Sequence, residues 1–156
     1  MELSKWQHKQ FNLNIFQQLL WLIILFNGIY HVNCVVKLTY VANGFYLALF
    51  ERSIFSESVQ AWKYGTMIPS VYGAFGDYGH KSIKEPFLFA EIVTHKTVIE
   101  VLDKTCDEFK RLTDLQLAAY CQEPSWSCSY SLSNDIPNEL IMEFFKSKLK
   151  KINNHL

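Results

Sequence analysis

The chain has 156 residues, 49% of them apolar and 19% charged, which fits one domain with a real core and argues against disorder. The formal net charge is zero, so no global basic field is available to attract nucleic acid. None of the four cysteines forms a Cys-x-x-Cys pair, which argues against a zinc site, and we expect reduced thiols in a cytoplasmic protein.

The N-terminal part is expected to contain a polar leader over residues 1–10, followed by a helical domain over residues 11–156. A first helix is predicted by apolar residues at helical spacing: Phe11, Ile15, Leu19, Leu22 and Phe26. The run Leu19–Phe26 has only eight apolar residues, whereas a membrane-spanning helix needs about 20. We therefore expect a fully buried helix rather than a membrane or targeting segment.

A second long helix is predicted after Asn33, whose side chain can cap it. Its inner stripe steps by three and four residues: Val35, Leu38, Ala42, Phe45 and Leu49. Two long helices joined by a short turn are expected to pack as a hairpin.

A shorter helix is predicted next, with Thr66 as its cap and Pro69 in its first turn. It is expected to end at Gly79, and its apolar stripe is Ile68, Val71, Tyr72 and Phe75. Residues 85–93 fit either a short β-strand or an irregular crossing, because Pro86 argues against a helix there.

Two capping boxes mark the following helices. Thr97 with Glu100 opens one, and Thr113 with Gln116 opens a short helix that reaches about Cys121. The first of these helices has the inner stripe Val98, Val101, Leu102, Thr105 and Phe109.

The C-terminal part is predicted as a loop over Glu123–Leu132 that carries Trp126, followed by a last helix that starts around Pro137. The stripe of this helix is Ile141, Phe145, Leu149 and Ile152. Its lysines over 146–151 fit a solvated face and a helix C-terminus favoured by the macrodipole. The fold class is therefore mainly α, a single compact domain of about six helices with a long N-terminal helical hairpin.

Residues for catalysis are not arranged in any familiar pattern. The five histidines are scattered, and Gly-x-Ser-x-Gly, Walker and Rossmann motifs are not found. Cys34 or Cys121 could meet a histidine in space, although a buried cysteine is usually a small hydrophobe. We expect no enzyme, no cofactor, no metal and no small-molecule substrate.

The segment from Ala61 to Gly79 is rich in aromatic residues and glycine instead. Trp62, Tyr64 and Tyr72 have large apolar bodies with a polar tip, which suits either the core or the hot spots of an interface. The group as a whole is more aromatic than a core segment requires, which favours a binding surface.

The same segment resembles the Panacea domain, a SocA-like family once grouped with proteins of phages and mobile elements. The similarity spans about 45 residues and rests on these motifs: Phe45–Phe50, Ile54–Phe55, Ala61–Gly65, Pro69–Tyr72 and Tyr78–Gly79. Upstream, Lys37–Gly44 is similar to the family's Lys-Leu-Leu-Tyr-Tyr-Ala-Gln-Gly, and downstream Leu115 and Trp126 hold their places. The chain departs from the family at Thr66, where proline is usual, at Tyr120–Cys121, where Thr-His is usual, and at Cys34, where lysine is usual. The order Pro124-Ser125-Trp126 also differs from the family's Pro-Trp.

The resemblance implies a mostly helical antitoxin that neutralises a cognate toxin by direct binding, in some members as an adaptor to a protease. The partner-binding residues that it points to are Trp62, Lys63, Tyr64, Gly65, Pro69, Tyr72 and Trp126. We expect a protein partner rather than nucleic acid or a membrane. Three alternatives stay open: a stand-alone regulator or counter-defence factor of a phage or mobile element, a membrane-associated helical protein, and an enzyme that uses Cys34 or Cys121.

Overall fold

The computed structural model describes residues 31–63, 65–75, 81, 95–122, 126, 129–130 and 135–153. In chain order its elements are α1 (Val32–Phe50), β1 (Gln60–Trp62), β2 (Gly65–Met67), α2 (Pro69–Phe75), α3 (Lys96–Phe109), α4 (Asp114–Cys121) and α5 (Asn138–Asn153). The fold is mainly helical with one small sheet, as predicted for the fold class. The first helix of the predicted hairpin, residues 11–26, and the ambiguous segment 85–93 lie outside the described residues.

Helix α1 is the centre of the domain and is buried on almost every side. It packs against α5 and α3 over most of its length and also contacts α4, β2 and α2. The predicted stripe was therefore too narrow, because neighbours on several sides bury Val36, Val41 and Tyr46 as well. At its C-terminal end the prediction was wrong for Leu49, whose side chain is 55% exposed because it lies beyond the packed region.

Helix α1 is also long and apolar enough, by length and composition, to cross a membrane. The relevant window is 78% buried inside the fold, and buried core helices pass the same test of length and composition. It is the one such helix among the described residues, and the apolar run Leu19–Phe26 lies outside them.

The contact between α1 and α5 depends on a glycine opposite a phenylalanine. An ideal Cβ on Gly44 would overlap the ring of Phe145, so the absence of a side chain is what lets the ring fit. Phe145 is fully buried and packs edge-on against Phe45 and Tyr40, at centroid distances of 4.9 and 5.7 Å. The predicted stripe of α5 is confirmed at Ile141 and Phe145.

Three of the four predicted helix caps were wrong, and two of these concern α1 and α3. α1 begins at Val32 with His31 as its N-cap, so Asn33 is already helical and exposed. α3 begins at Lys96, one residue before Thr97, whose hydroxyl instead lies 2.9 Å from His95 Nδ1. In both helices the N-cap position is occupied by a histidine that lies before the polar residue predicted to cap it.

The capping box of α4 and the inner stripe of α3 are confirmed. Gln116 N donates to Thr113 Oγ1 over 3.2 Å, and Thr113 N donates to Gln116 Oε1 over 2.9 Å. In α3 the predicted positions Val98, Val101, Leu102 and Thr105 are buried, and Phe109 packs partly against the core.

Candidate functional site

The segment Gln60–Met67 is a β-hairpin rather than the lead-in to a helix. Strands β1 and β2 pair antiparallel, with Ala61 opposite Thr66 and Trp62 opposite Gly65. The predicted cap at Thr66 was wrong, because Thr66 lies buried in β2 and α2 begins only at Pro69. The position of Pro69 in the first turn of α2 is confirmed.

Gly65 fixes the hairpin onto α1 through close contact with a buried lysine. Its φ of 119° is a conformation that side-chain-bearing residues rarely adopt. A Cβ at this position would lie 3.1 Å from Lys37 Cε. Lys37 is 5% exposed, and burial lowers the pKa of its ammonium group, an effect opposed by Cys121, Cys34 and Asp114.

Four aromatic residues come together on the outer side of this hairpin. We call Trp62, Tyr72, Trp126 and Tyr130 the aromatic surface. Trp62 meets Tyr72 edge-on at 5.2 Å, and Trp126 stacks on Tyr130 at 4.9 Å with 14° between the ring planes. The indole N–H of Trp126 donates to the Trp62 backbone carbonyl over 2.9 Å and thereby joins the two pairs.

The two tyrosines present most of the accessible part of this surface. Tyr72 is 47% exposed and Tyr130 46%, whereas both tryptophans are half-buried against the core. The arrangement gives an apolar area with polar tips on a supported base, which is the composition of an interface hot spot.

A chain of side-chain hydrogen bonds holds Trp62 in place from below. Its indole N–H donates to Gln60 Oε1 over 3.0 Å, and Gln60 Nε2 donates to Asp135 Oδ1 over 3.0 Å. Gln60 and Asp135 also form an isolated antiparallel bridge, and Ile136 N donates to Val59 O over 2.9 Å. The segment that leads into α5 therefore runs along the free edge of β1.

The structure brings Trp62, Tyr72 and Trp126 together, as a shared binding surface requires. The place of Tyr72 in the predicted core stripe was wrong, because Tyr72 is 47% exposed, whereas Ile68 and Val71 are buried. Gly65 is buried at the start of β2 and faces Lys37 of α1, Lys63 is exposed after β1, and Tyr64 lies outside the described residues.

Sequence reasoning missed Tyr130 and Gln60. Trp126 and Tyr130 have helical backbone, whereas a loop was predicted over 123–132. Residues four positions apart are neighbours on a helix, so the spacing of Trp126 and Tyr130 was a signal that could have identified Tyr130. For Gln60 the corresponding signal was its position two residues before Trp62, because residues two apart on a strand lie on the same face.

Of the two cysteines considered for catalysis, Cys121 is fully buried and Cys34 is hydrogen-bonded to a carboxylate. Cys34 Sγ donates to Asp114 Oδ1 over 2.7 Å, and burial together with that carboxylate raises the thiol pKa to about 12. Burial and the neighbouring Asp103 and Asp107 raise the pKa of Cys106 to about 12 as well. A thiol that resists ionisation is a poor nucleophile, so these residues act as small buried groups.

The basic last helix uses two of its lysines within the domain. Lys146 pairs with Glu51 at 2.9 Å, and Lys148 lies 5.3 Å above the ring of Tyr120. Within the part of the chain that the structure describes, no cluster of three or more His, Cys, Asp or Glu residues could hold a metal ion.

Comparison with protein families identifies one match. The model of the family "Antitoxin SocA-like, Panacea domain" matches residues 35–127, more than half of the chain. The matched segment includes most of α1, the β-hairpin and α4. Comparisons with curated proteins and with solved structures gave no match. Such antitoxin-like families are generally non-enzymatic and suggest a protein partner. The chain belongs to the antitoxin SocA-like, Panacea domain family.

Proposed function

We propose that this protein neutralises a cognate toxic protein in the cytoplasm by binding it directly through the aromatic surface. The observation that carries the proposal is the meeting of Trp62, Tyr72, Trp126 and Tyr130 on the hairpin, inside or next to the segment that the antitoxin family matches. The same binding would serve either of two outcomes, blockage of the toxin's active surface or delivery of the toxin to a protease.

The geometry suits tight binding because the surface is already ordered before a partner arrives. Both indole N–H groups are hydrogen-bonded within the domain, to Gln60 Oε1 and to the Trp62 carbonyl. Little side-chain entropy is therefore lost when a partner covers these rings. Half-exposed tyrosines add large contact area with only two rotatable side-chain bonds each.

The test is co-expression with the product of the neighbouring gene, followed by growth measurement and pull-down. Tyr72→Ala and Tyr130→Ala truncate the accessible rings, and because both residues are about half exposed the variants are expected to fold. Removing a hot-spot aromatic ring typically costs at least about 2 kcal/mol of binding, or roughly thirtyfold in affinity.

Leu49→Ala is the matched control. Leu49 is an exposed apolar residue, but it lies twelve positions along α1 from Lys37, which supports the hairpin, or about 18 Å along the helix axis. We expect this variant to bind and protect like the wild type. If Tyr72→Ala and Tyr130→Ala fold and still protect fully, the aromatic surface is not the binding site.

Genome context separates the proposal from a regulator of a phage or mobile element. A toxic reading frame beside this gene, silenced by wild-type protein, supports an antitoxin. If the neighbouring product is harmless when expressed alone and does not bind, the antitoxin proposal is wrong for this chain.

A further inference from the structure

We infer that Gln60 and Asp135 are positioning residues for the aromatic surface: they set the orientation of the Trp62 indole, and partner affinity depends on them through that ring. This inference rests on the proposed function for its effect on binding, although the orientation of Trp62 can be measured without a partner.

The hydrogen bonds define a chain with one direction. Asp135 can only accept, so Gln60 must turn its Nε2 towards Asp135 Oδ1, which leaves its Oε1 to receive the Trp62 indole N–H. The carboxylate thus selects one of the two amide orientations of Gln60. The reversed orientation would place an amide N–H against the indole donor and an oxygen against the carboxylate.

The backbone fixes the relative positions of the residues that form this series of hydrogen bonds. Gln60 and Asp135 are bridge partners, and Ile136 N donates to the carbonyl of Val59, so the segment before α5 cannot slide along β1 without breaking main-chain bonds. Gln60 and Trp62 lie two residues apart on the same strand, which puts both side chains on one face.

The orientation of the Trp62 indole in turn determines how Tyr72 packs against it. Trp62 contacts Tyr72 edge-on, an arrangement that depends on the tilt of the indole plane. Gln60 therefore has no need to touch the partner in order to influence binding. Its expected effect is the one that follows from a lost hydrogen bond, about three- to tenfold in affinity.

The experiment is a four-protein cycle of wild type, Gln60→Glu, Asp135→Asn and the double variant. Gln60→Glu keeps an acceptor for Trp62 but sets two carboxylates against each other. Asp135→Asn keeps an acceptor for the Gln60 amide, so it is expected to behave like the wild type. In the double variant the introduced asparagine amide can donate to the introduced glutamate, which restores the series of hydrogen bonds to Trp62.

The first measurement is the ¹H–¹⁵N resonance of the Trp62 indole in the full chain, assigned with Trp62→Phe. We expect it to shift most in Gln60→Glu alone and to move back towards the wild-type position in the double variant. A purely structural contribution from each residue would instead make the double variant the worst of the four. An unchanged resonance in Gln60→Glu, or no recovery in the double variant, overturns the inference.

The second measurement is affinity for the neighbouring gene product. We expect a three- to tenfold loss for Gln60→Glu, about the effect of one hydrogen bond, and recovery in the double variant. If Tyr72→Ala weakens binding but Gln60→Glu does not, the positioning inference fails and the proposed function stands. If neither Tyr72→Ala nor Tyr130→Ala weakens binding while the Trp62 resonance follows the cycle, the proposed function fails and the positioning of Trp62 stands.

Discussion

The substitution Gly44→Ala tests whether the packing of α1 on α5 depends on a missing side chain. A Cβ at this position would overlap the Phe145 ring. That ring cannot move aside easily, because it is fully buried and contacts the rings of Tyr40, Phe45, Tyr120 and Phe144. Either the ring leaves its rotamer or the two helices separate, and both disturb the largest contact in the domain.

The expected loss follows from two opposing contributions. Overpacking of a tight core costs about 1–3 kcal/mol and occasionally more, and the rigid surroundings of Phe145 place this site at the upper end. Alanine gains about 1 kcal/mol over glycine in helix propensity. We expect a net loss of about 2 kcal/mol in the free energy of unfolding, or about 4–8 °C in Tm.

The assay is urea unfolding followed by circular dichroism, with Gly73→Ala as control. Gly73 is also helical, but its Cβ would meet no atom of the described residues within 4 Å, so this variant is expected to gain up to about 1 kcal/mol. The loss from Gly44→Ala should shrink in a Phe145→Leu background, where the ring edge is removed. Equal stability of the two glycine variants, or an undiminished loss in the Phe145→Leu background, would refute the packing explanation.

Three further predictions concern the hairpin and the thiols. Thr66→Val is expected to stabilise the fold by about 1 kcal/mol in thermal unfolding, because the fully buried Thr66 hydroxyl has no hydrogen-bond partner among the described residues. Gly65→Ala is expected to destabilise by about 1–3 kcal/mol, since it adds a strained φ to a 3.1 Å contact with Lys37 Cε; unchanged stability would contradict this. Cys34 and Cys106, with pKa values raised to about 12 by burial, should react with iodoacetamide at about pH 8 only as fast as the protein unfolds, and rapid labelling of the native protein would show that a thiol is activated.

The parts of the fold that could be predicted are those set by neighbours in the sequence. The capping box at Thr113 needs only residues three positions apart, and the stripe of α3 needs only the helical period. For α1 the helical period predicted too narrow a buried stripe. The period identifies a single apolar face, whereas α1 contacts five other elements and is buried on several sides.

The hairpin could not be predicted because its determinants lie elsewhere in the chain. It has no Asn-Gly or Asp-Gly turn, and Thr66 before Pro69 has the composition of a helix start. What selects the hairpin is the support of β2 by α1 and α4 and the bridge from Gln60 to Asp135. For the same reason the exposure of Tyr72 was misjudged, since it depends on how α2 lies against Trp62.

Three departures of this chain from its family motifs, at Cys34, Thr66 and Cys121, lie around Lys37 beneath the aromatic surface. Cys34 and Cys121 both act on the charge of Lys37, and Thr66 follows the glycine that rests on the Lys37 side chain. By resemblance, these three positions usually hold lysine, histidine and proline. Two positions that are more basic in the family are small buried cysteines here, so neither places a cation beside the buried Lys37. The substitutions therefore change how the hairpin is supported, while the motif residues Trp62, Tyr72 and Trp126 are kept, and we expect divergence to have altered the stability of this segment more than its chemistry.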